Sequence, residues 1–243
     1  MNLAIDIGNS RLKAALFQGN EMIEIYSTLP EGEFAEWLLR QQATYTILSS
    51  VRKDVDTIKS EIERISQLIV LESGMEMPFQ SLYQTPHTLG VDRLAAIAGA
   101  QALFPGQACL VIDLGTCITY DFIDQESYFW GGNIAPGLQI RFRAMHEFTA
   151  NLPLVQINPE EELPYTGKST RGAMQSGVVY GIVHEIEGAI RYYHQKVGNF
   201  VTILTGGDAL YFETKIKEQI FVNQNLTLIG LNGILQYHVG KSV

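Results

Sequence analysis

Two short stretches of the chain carry the same chemistry. Asp6-Ile7-Gly8-Asn9-Ser10 and Asp113-Leu114-Gly115-Thr116 each follow an apolar run and set a carboxylate, a glycine and small polar side chains at a turn. Glycine lets the backbone approach a phosphate with no Cβ in the way. Turn amides and Asn, Ser or Thr side chains can then donate to the phosphate oxygens. The carboxylates of Asp6 and Asp113 would repel that phosphate unless a cation or its water shell stood between them. Lys13, close behind the first turn, can add a point charge. A hairpin with glycine at positive φ would also produce one such turn, with no ligand. Two in matching registers favour the phosphate.

Further motifs have chemical uses of their own. Gly90-Val91-Asp92-Arg93 opens an Ala-rich helical stretch. Asp92 there is either a first-turn carboxylate favoured by the helix dipole or a base for a hydroxyl, with Arg93 clamping a substrate carboxylate. Thr205-Gly206-Gly207-Asp208 follows an apolar strand, where a glycine turn either passes close to a nucleotide base or ribose or merely reverses the chain. Gly131-Gly132-Asn133-Ile134-Ala135-Pro136-Gly137 reads as a rigid turn or a cleft wall. Other matches fail. Gly167-Lys168-Ser169-Thr170 resembles the end of a P-loop, but Glu162 stands where its first glycine is needed and no strand precedes it. His184-Glu185 lacks the second histidine of a zinc helix, since position 188 is Gly188. Cys109 and Cys117 have no neighbouring ligand cluster and read as strand residues. His87, His146, His194 and His238 read as surface or packing residues, and no Gly-x-Ser-x-Gly elbow occurs.

These residues need elements to hold them. Apolar runs at 3–5, 12–17 and 22–26, separated by tight polar turns, predict an antiparallel opening. Helical spacing follows at 34–39 and 55–65, with strands at 45–48 and 68–71. Residues 73–90, with Gly74, Pro78, Pro86 and Gly90, read as a long loop of the kind that often carries function. A helix at 94–104 stops at Pro105-Gly106. The opening pattern then returns at 109–123, with Asp6 matched to Asp113 and Gly8 to Gly115 at a constant offset of 107 residues. One offset of that size fits a duplicated domain, or a chance pairing of two common Asp-x-Gly strand turns, and not a short-period solenoid. Strand 128–130, helices around 138–148 and 172–196, strand 200–204 and a last helix around 230–238 complete the chain. The expectation is an α/β protein of two halves, 1–107 and 108–243, built on mixed sheets.

Composition narrows the function. With 17 Lys+Arg against 26 Asp+Glu, the net charge of −9 leaves no basic surplus for a nucleic-acid binder held by phosphate contacts. The 46% hydrophobic content over 243 residues excludes a disordered chain. No run approaches the roughly 18 apolar residues of a membrane span, and residues 1–11 lack the basic start of a signal peptide. The cysteines suggest no disulfide framework. A cytoplasmic protein with no nucleic-acid or membrane partner is expected.

Taken together and in this order, the five motifs at 6–10, 90–93, 113–116, 131–137 and 205–207 resemble those of the type III pantothenate kinases, in the actin and sugar-kinase superfamily. The resemblance spans nearly the whole chain. It implies duplicated actin-like (ribonuclease H-like) domains and ATP-dependent phosphorylation of pantothenate to 4′-phosphopantothenate, the first step of coenzyme A synthesis. It also implies Mg2+, a monovalent cation (K+ or NH4+) and a homodimer. By motif, Asp6, Ile7, Gly8, Asn9, Ser10, Arg11, Leu12 and Lys13 would hold the ATP phosphates, Thr116 would also contact ATP, and Asp113 would bind the monovalent cation. Asp92 would be the general base, with Gly90, Val91 and Arg93 shaping the pantothenate site. Tyr83 would line that pocket and Thr170 would contact pantothenate. Ser10 stands where threonine is frequent and Cys117 where a small residue is frequent; neither removes a needed charge. Another small-molecule kinase, or an ATP-binding regulator on the same fold, would share the phosphate turns. The Gly90-Val91-Asp92-Arg93 motif speaks for pantothenate, and Asp92 with Arg93 for catalysis.

Overall fold

A computed structural model describes residues 1–8, 12–27, 31–52 and 55–241. Strands β1 (Asn2–Ile7), β2 (Leu12–Gln18) and β3 (Glu21–Ser27) form the expected antiparallel opening, turning at Gly19 with φ of +60°. Helices α1 (Glu31–Leu39) and α2 (Asp56–Glu63) alternate with β4 (Tyr45–Ser50) and β5 (Gln67–Val70), which pair in parallel. The first sheet therefore runs β3-β2-β1-β4-β5. Side chains alternate across β1. Leu3, Ile5 and Ile7 join Phe34, Trp37, Leu38 and Ile62 in the core, where each large side chain contributes roughly 1.5–3 kcal/mol by burial. The opposite face carries Asn2, Ala4 and Asp6.

That opposite face is covered by helices. Helix α3 (Val91–Leu103) ends before Pro105-Gly106, as the sequence predicts. It packs against α7 (Leu226–Lys241), whose Asn232 accepts a 3.1 Å bond from Asn2 Nδ2 on β1. Glycines bring the two helix backbones together: a Cβ on Gly230 would fall 1.7 Å from the Ala95 carbonyl, and one on Gly99 would fall 2.2 Å from that of Leu226.

The second sheet repeats the order of the first. Strands β7 (Cys109–Leu114), β8 (Cys117–Ile123), β9 (Tyr128–Pro136), β10 (Val201–Thr205) and β11 (Phe221–Val222) line up as β11-β10-β7-β8-β9, with the short β6 (Gln80–Ser81) added beyond β9. Helices α4 (Leu138–Glu147), α5 (Thr170–Val197) and α6 (Ala209–Glu213) accompany it. The mixed α/β architecture expected from the duplicated motifs is the one observed. Both cysteines lie in strands, as expected, and Cys109 is fully buried, with its thiol pushed up to about 12 by desolvation.

Two local readings change. The loop at 73–90 contains β6 and a 3-10 turn at Pro86–Thr88. The turn expected at 131–137 is mostly strand, because β9 continues to Pro136. Glycine and asparagine disfavour strands locally, but a Cβ on Gly132 would lie 1.7 Å from the Tyr120 carbonyl of β8. The glycine is what permits that close approach.

Contacts divide the chain into two compact units, each discontinuous in sequence. One comprises Met1–Cys109, Phe122–Gly131 and Asn225–Val243; the other comprises Leu110–Asp121 and Gly132–Gln224.

Candidate active site

In the first unit the site starts at the carboxyl end of β1. Register places Asp6 opposite Lys13 on β2 and opposite Ser49 on β4, so these three side chains are neighbours on one face. Asp6 is partly exposed but closely surrounded by protein, and desolvation pushes its carboxyl up from 3.8 to about 6. The negative charge of Asp92 adds to the rise, while the Ser49 hydroxyl and the Lys13 ammonium oppose it. Among the described residues, the buried Ser49 Oγ has no partner of full hydrogen-bond geometry, so its effect on Asp6 is that of a facing dipole. With a second carboxylate nearby, a bound cation there would favour the ionised form of Asp6.

Asp92 occupies the first turn of α3, where its Oδ1 accepts a 2.9 Å bond from the Arg93 amide. A Cβ on Gly90 would lie 2.4 Å from that oxygen, so the helix-capping glycine makes room for the carboxylate. The dipole role and a role as base are thus compatible, because one oxygen is anchored. Arg93 is only 5% exposed, and its Cζ lies 5.5 Å over the Tyr83 ring. The loop before α3 is fastened by Ser73 Oγ donating to the Leu89 carbonyl at 2.6 Å and by Glu76, which accepts from Tyr237 at 3.0 Å and Lys241 at 2.6 Å on α7.

Asp6, Ile7, Gly8, Leu12, Lys13, Tyr83, Gly90, Val91, Asp92 and Arg93 therefore belong to one compact unit. Asn9, Ser10 and Arg11 lie outside the described residues. Arg52, which motif reading passed over, donates from Nε to the Gly8 carbonyl at 3.0 Å. Its signal was position: it follows the carboxyl end of a parallel strand, where α/β sheets collect ligands.

In the second unit three separate motifs meet at the turn after β7. Gly206, at φ of +93°, passes so close that a Cβ would sit 2.4 Å from Asp113 Oδ1 and 2.6 Å from the Leu114 backbone. The Asp208 amide donates to the Leu114 carbonyl at 3.0 Å and the Gly137 amide to the Thr116 carbonyl at 3.1 Å. A Cβ on Gly137 would lie 2.4 Å from both the Gly115 and Thr116 carbonyl oxygens. These contacts fix the backbone of the turn that carries Asp113, with the Leu114 and Thr116 carbonyls each accepting an amide. Among the described residues no cluster of three or more His, Cys, Asp or Glu could hold a metal by itself.

Thr170 is exposed at the start of α5, where Ser169 caps the helix by accepting from the Gly172 amide at 3.1 Å. Gly167 presses on the backbone of Ala173, and no strand precedes this segment, so it is not a P-loop. Beside it lies a cavity of about 440 Å³ lined by residues including Asn158, Lys168 and Gln175. His146 and His194 are exposed, and with His238 each bonds a backbone carbonyl.

Comparison with known proteins adds a family. A family model described as type III pantothenate kinase matches residues 2–192. A type III pantothenate kinase from Cytophaga hutchinsonii is 44% identical over 241 residues, covering 98% of this chain and all of that protein. One from Christiangramia forsetii is 40% identical over 242 residues, covering 98% of this chain and 99% of that protein. Among solved structures, a Campylobacter jejuni protein assigned to the Baf family of transcriptional activators superposes with a TM-score of 0.66 at 22% identity, over 98% and 99% of the two chains. An activator of 2-hydroxyisocaproyl-CoA dehydratase from Clostridium difficile, solved with ADPNP, gives 0.53 at 13% over 100% and 97%. These structural likenesses establish the fold alone.

Proposed function

This chain belongs to the type III pantothenate kinase family, and from that membership we infer that it transfers the γ-phosphoryl group of ATP to the primary hydroxyl of pantothenate, giving 4′-phosphopantothenate for coenzyme A synthesis. The observation that carries this reading is the gathering, within one compact unit, of the Asp6 carboxylate at the end of β1 with Asp92 and Arg93 at the head of α3. Phosphoryl transfer relies on positioning and charge neutralisation more than on covalent help from the protein.

Asp92 is the base. With one oxygen held by the Arg93 amide, the other is free to orient the hydroxyl and take its proton as the oxygen attacks phosphorus. The glycine of the first turn exposes backbone to the phosphates, and Lys13 offsets their charge. Arg93 clamps the pantothenate carboxylate, and Tyr83, Gly90 and Val91 shape the pocket. Thr116 contacts ATP, and Thr170 contacts pantothenate. Mg2+ shared between Asp6 and the phosphates, and K+ or NH4+ at Asp113, would neutralise phosphate charge. The strand–turn–strand units at 6 and 113 mark two halves of a duplication, 1–107 and 108–243, distinct from the compact spatial units. A cytoplasmic homodimer completes the proposal. No helix among the described residues is long and apolar enough to cross a membrane.

Coupled ADP release, measured with and without pantothenate and with and without K+, tests this reading. ADP release should require pantothenate and rise with K+. Release that ignores pantothenate and responds to another hydroxylated acid would assign a different kinase, and nucleotide binding with no turnover on any such acid would assign a regulator.

A further inference from the structure

Residues two apart in a strand stand on the same face, so Phe129 and Gly131 of β9 project together, one bulky and one without a side chain. Tyr83 lies against both. Its ring is nearly parallel to that of Phe129, with 10° between the planes and centroids 6.3 Å apart. A Cβ on Gly131 would come within 3.2 Å of Tyr83 Cδ2 and 3.6 Å of Cε2. Phe129 is fully buried and braced edge-on by Phe79.

The backbone on the Tyr83 side is also held. Gln80 pairs with Tyr128 and Ser81 with Phe129. The Leu82 amide donates to the Phe129 carbonyl at 2.9 Å, and the Tyr83 amide donates to Ser81 Oγ at 3.2 Å. With strand, shelf and gap all set, the ring has little freedom to retreat. Arg93 touches that ring, since the buried guanidinium lies over it and a cation over an aromatic face is attracted by the ring quadrupole.

We propose that Phe129 and Gly131 are positioning residues that set the width of the acid-substrate pocket through Tyr83. Phe129 is the shelf on which the ring rests, and Gly131 is the gap that lets it lie back. A side chain at 131 would push the ring forward, narrow the space for a branched hydroxy acid and shift the Arg93 guanidinium away from the substrate carboxylate. This rests on the reading that Tyr83 and Arg93 face pantothenate.

A mutant cycle with Gly131→Ala and Tyr83→Ala, singly and together, separates the two claims. Gly131→Ala should raise the KM for pantothenate by about tenfold while the KM for ATP and kcat stay within about twofold. In the Tyr83→Ala background the same substitution should change the pantothenate KM by less than about twofold. The positive φ of Gly131 strains any alanine equally in both backgrounds, so the difference isolates the ring contact. An equal rise in both backgrounds would overturn the inference. A Tyr83→Ala enzyme with an unchanged pantothenate KM would instead overturn the placement of Tyr83 in the pocket. Should Gly131→Ala fail to fold, Phe129→Leu keeps the backbone of Gly131 and enters the same cycle with the same two refuting outcomes.

Discussion

Removing the charge of Asp6 should stabilise the nucleotide-free protein while abolishing its function. Burial raises that carboxyl from 3.8 to about 6, and each pH unit is worth about 1.4 kcal/mol. Holding Asp6 ionised at neutral pH therefore costs the folded chain at most about 3 kcal/mol, and about 1–2 kcal/mol once its partial exposure to solvent is allowed for. Below about pH 4 the carboxyl is protonated in both folded and unfolded chains and costs nothing. Between about pH 4 and 6 the unfolded chain has released its proton while the folded chain keeps it, so wild-type stability falls as pH rises; above about 6 the cost is complete. Asn at this position never ionises and still offers polar atoms to Ser49. Asp6→Asn should thus match wild type near pH 4 and exceed it by about 1–2 kcal/mol near pH 7.5. Urea denaturation followed by tryptophan fluorescence reads this unit directly, since Trp37, buried in the core beside β1, and Trp130 both belong to it. Added Mg2+ and ATP should stabilise wild type and leave Asp6→Asn nearly unmoved. A variant that is no more stable than wild type near pH 7.5, or one that gains equally at both pH values, refutes the electrostatic account of Asp6.

Asp92→Asn should lower kcat by about two orders of magnitude or more while ATP binding persists; near-normal turnover would remove Asp92 as the base. Gly206→Ala would drive a methyl against Asp113 Oδ1 from a backbone at φ of +93°. It should raise the K+ concentration needed for half-maximal ADP release, and an unchanged K+ titration would remove Asp113 as a cation ligand. Two glycines of α7 should behave oppositely in thermal denaturation. Gly230→Ala meets the Ala95 carbonyl and should cost about 1–3 kcal/mol or more, whereas Gly233→Ala points into open space and should add about 0.5–1 kcal/mol. Similar effects at the two positions would contradict the close α3–α7 packing.

The sequence alone determined the class of fold and singled out the candidate residues for the chemistry. Asp6 and Asp113 were legible because a strand that ends in Asp-x-Gly is a local signal, and its recurrence exposed the repeat that the two sheets share in strand order. The head of α3 was legible because a glycine before an Ala-rich run is a helix start, whatever packs on it. Where neighbours decide, local reading failed. Residues 131–136 are mostly poor strand formers, Ile134 excepted, yet β9 runs through them, with β8 close enough that only glycine fits at 132. The contact of Arg52 with Gly8 joins positions 44 residues apart. The convergence of Gly137 and Gly206 on the turn at 113–116, the raised pKa of Asp6 and the Phe129 shelf under Tyr83 likewise depend on which strands lie side by side. Periodicity and turn chemistry act over a few residues, whereas close approach, desolvation and ring stacking are set by distances that only the folded chain creates.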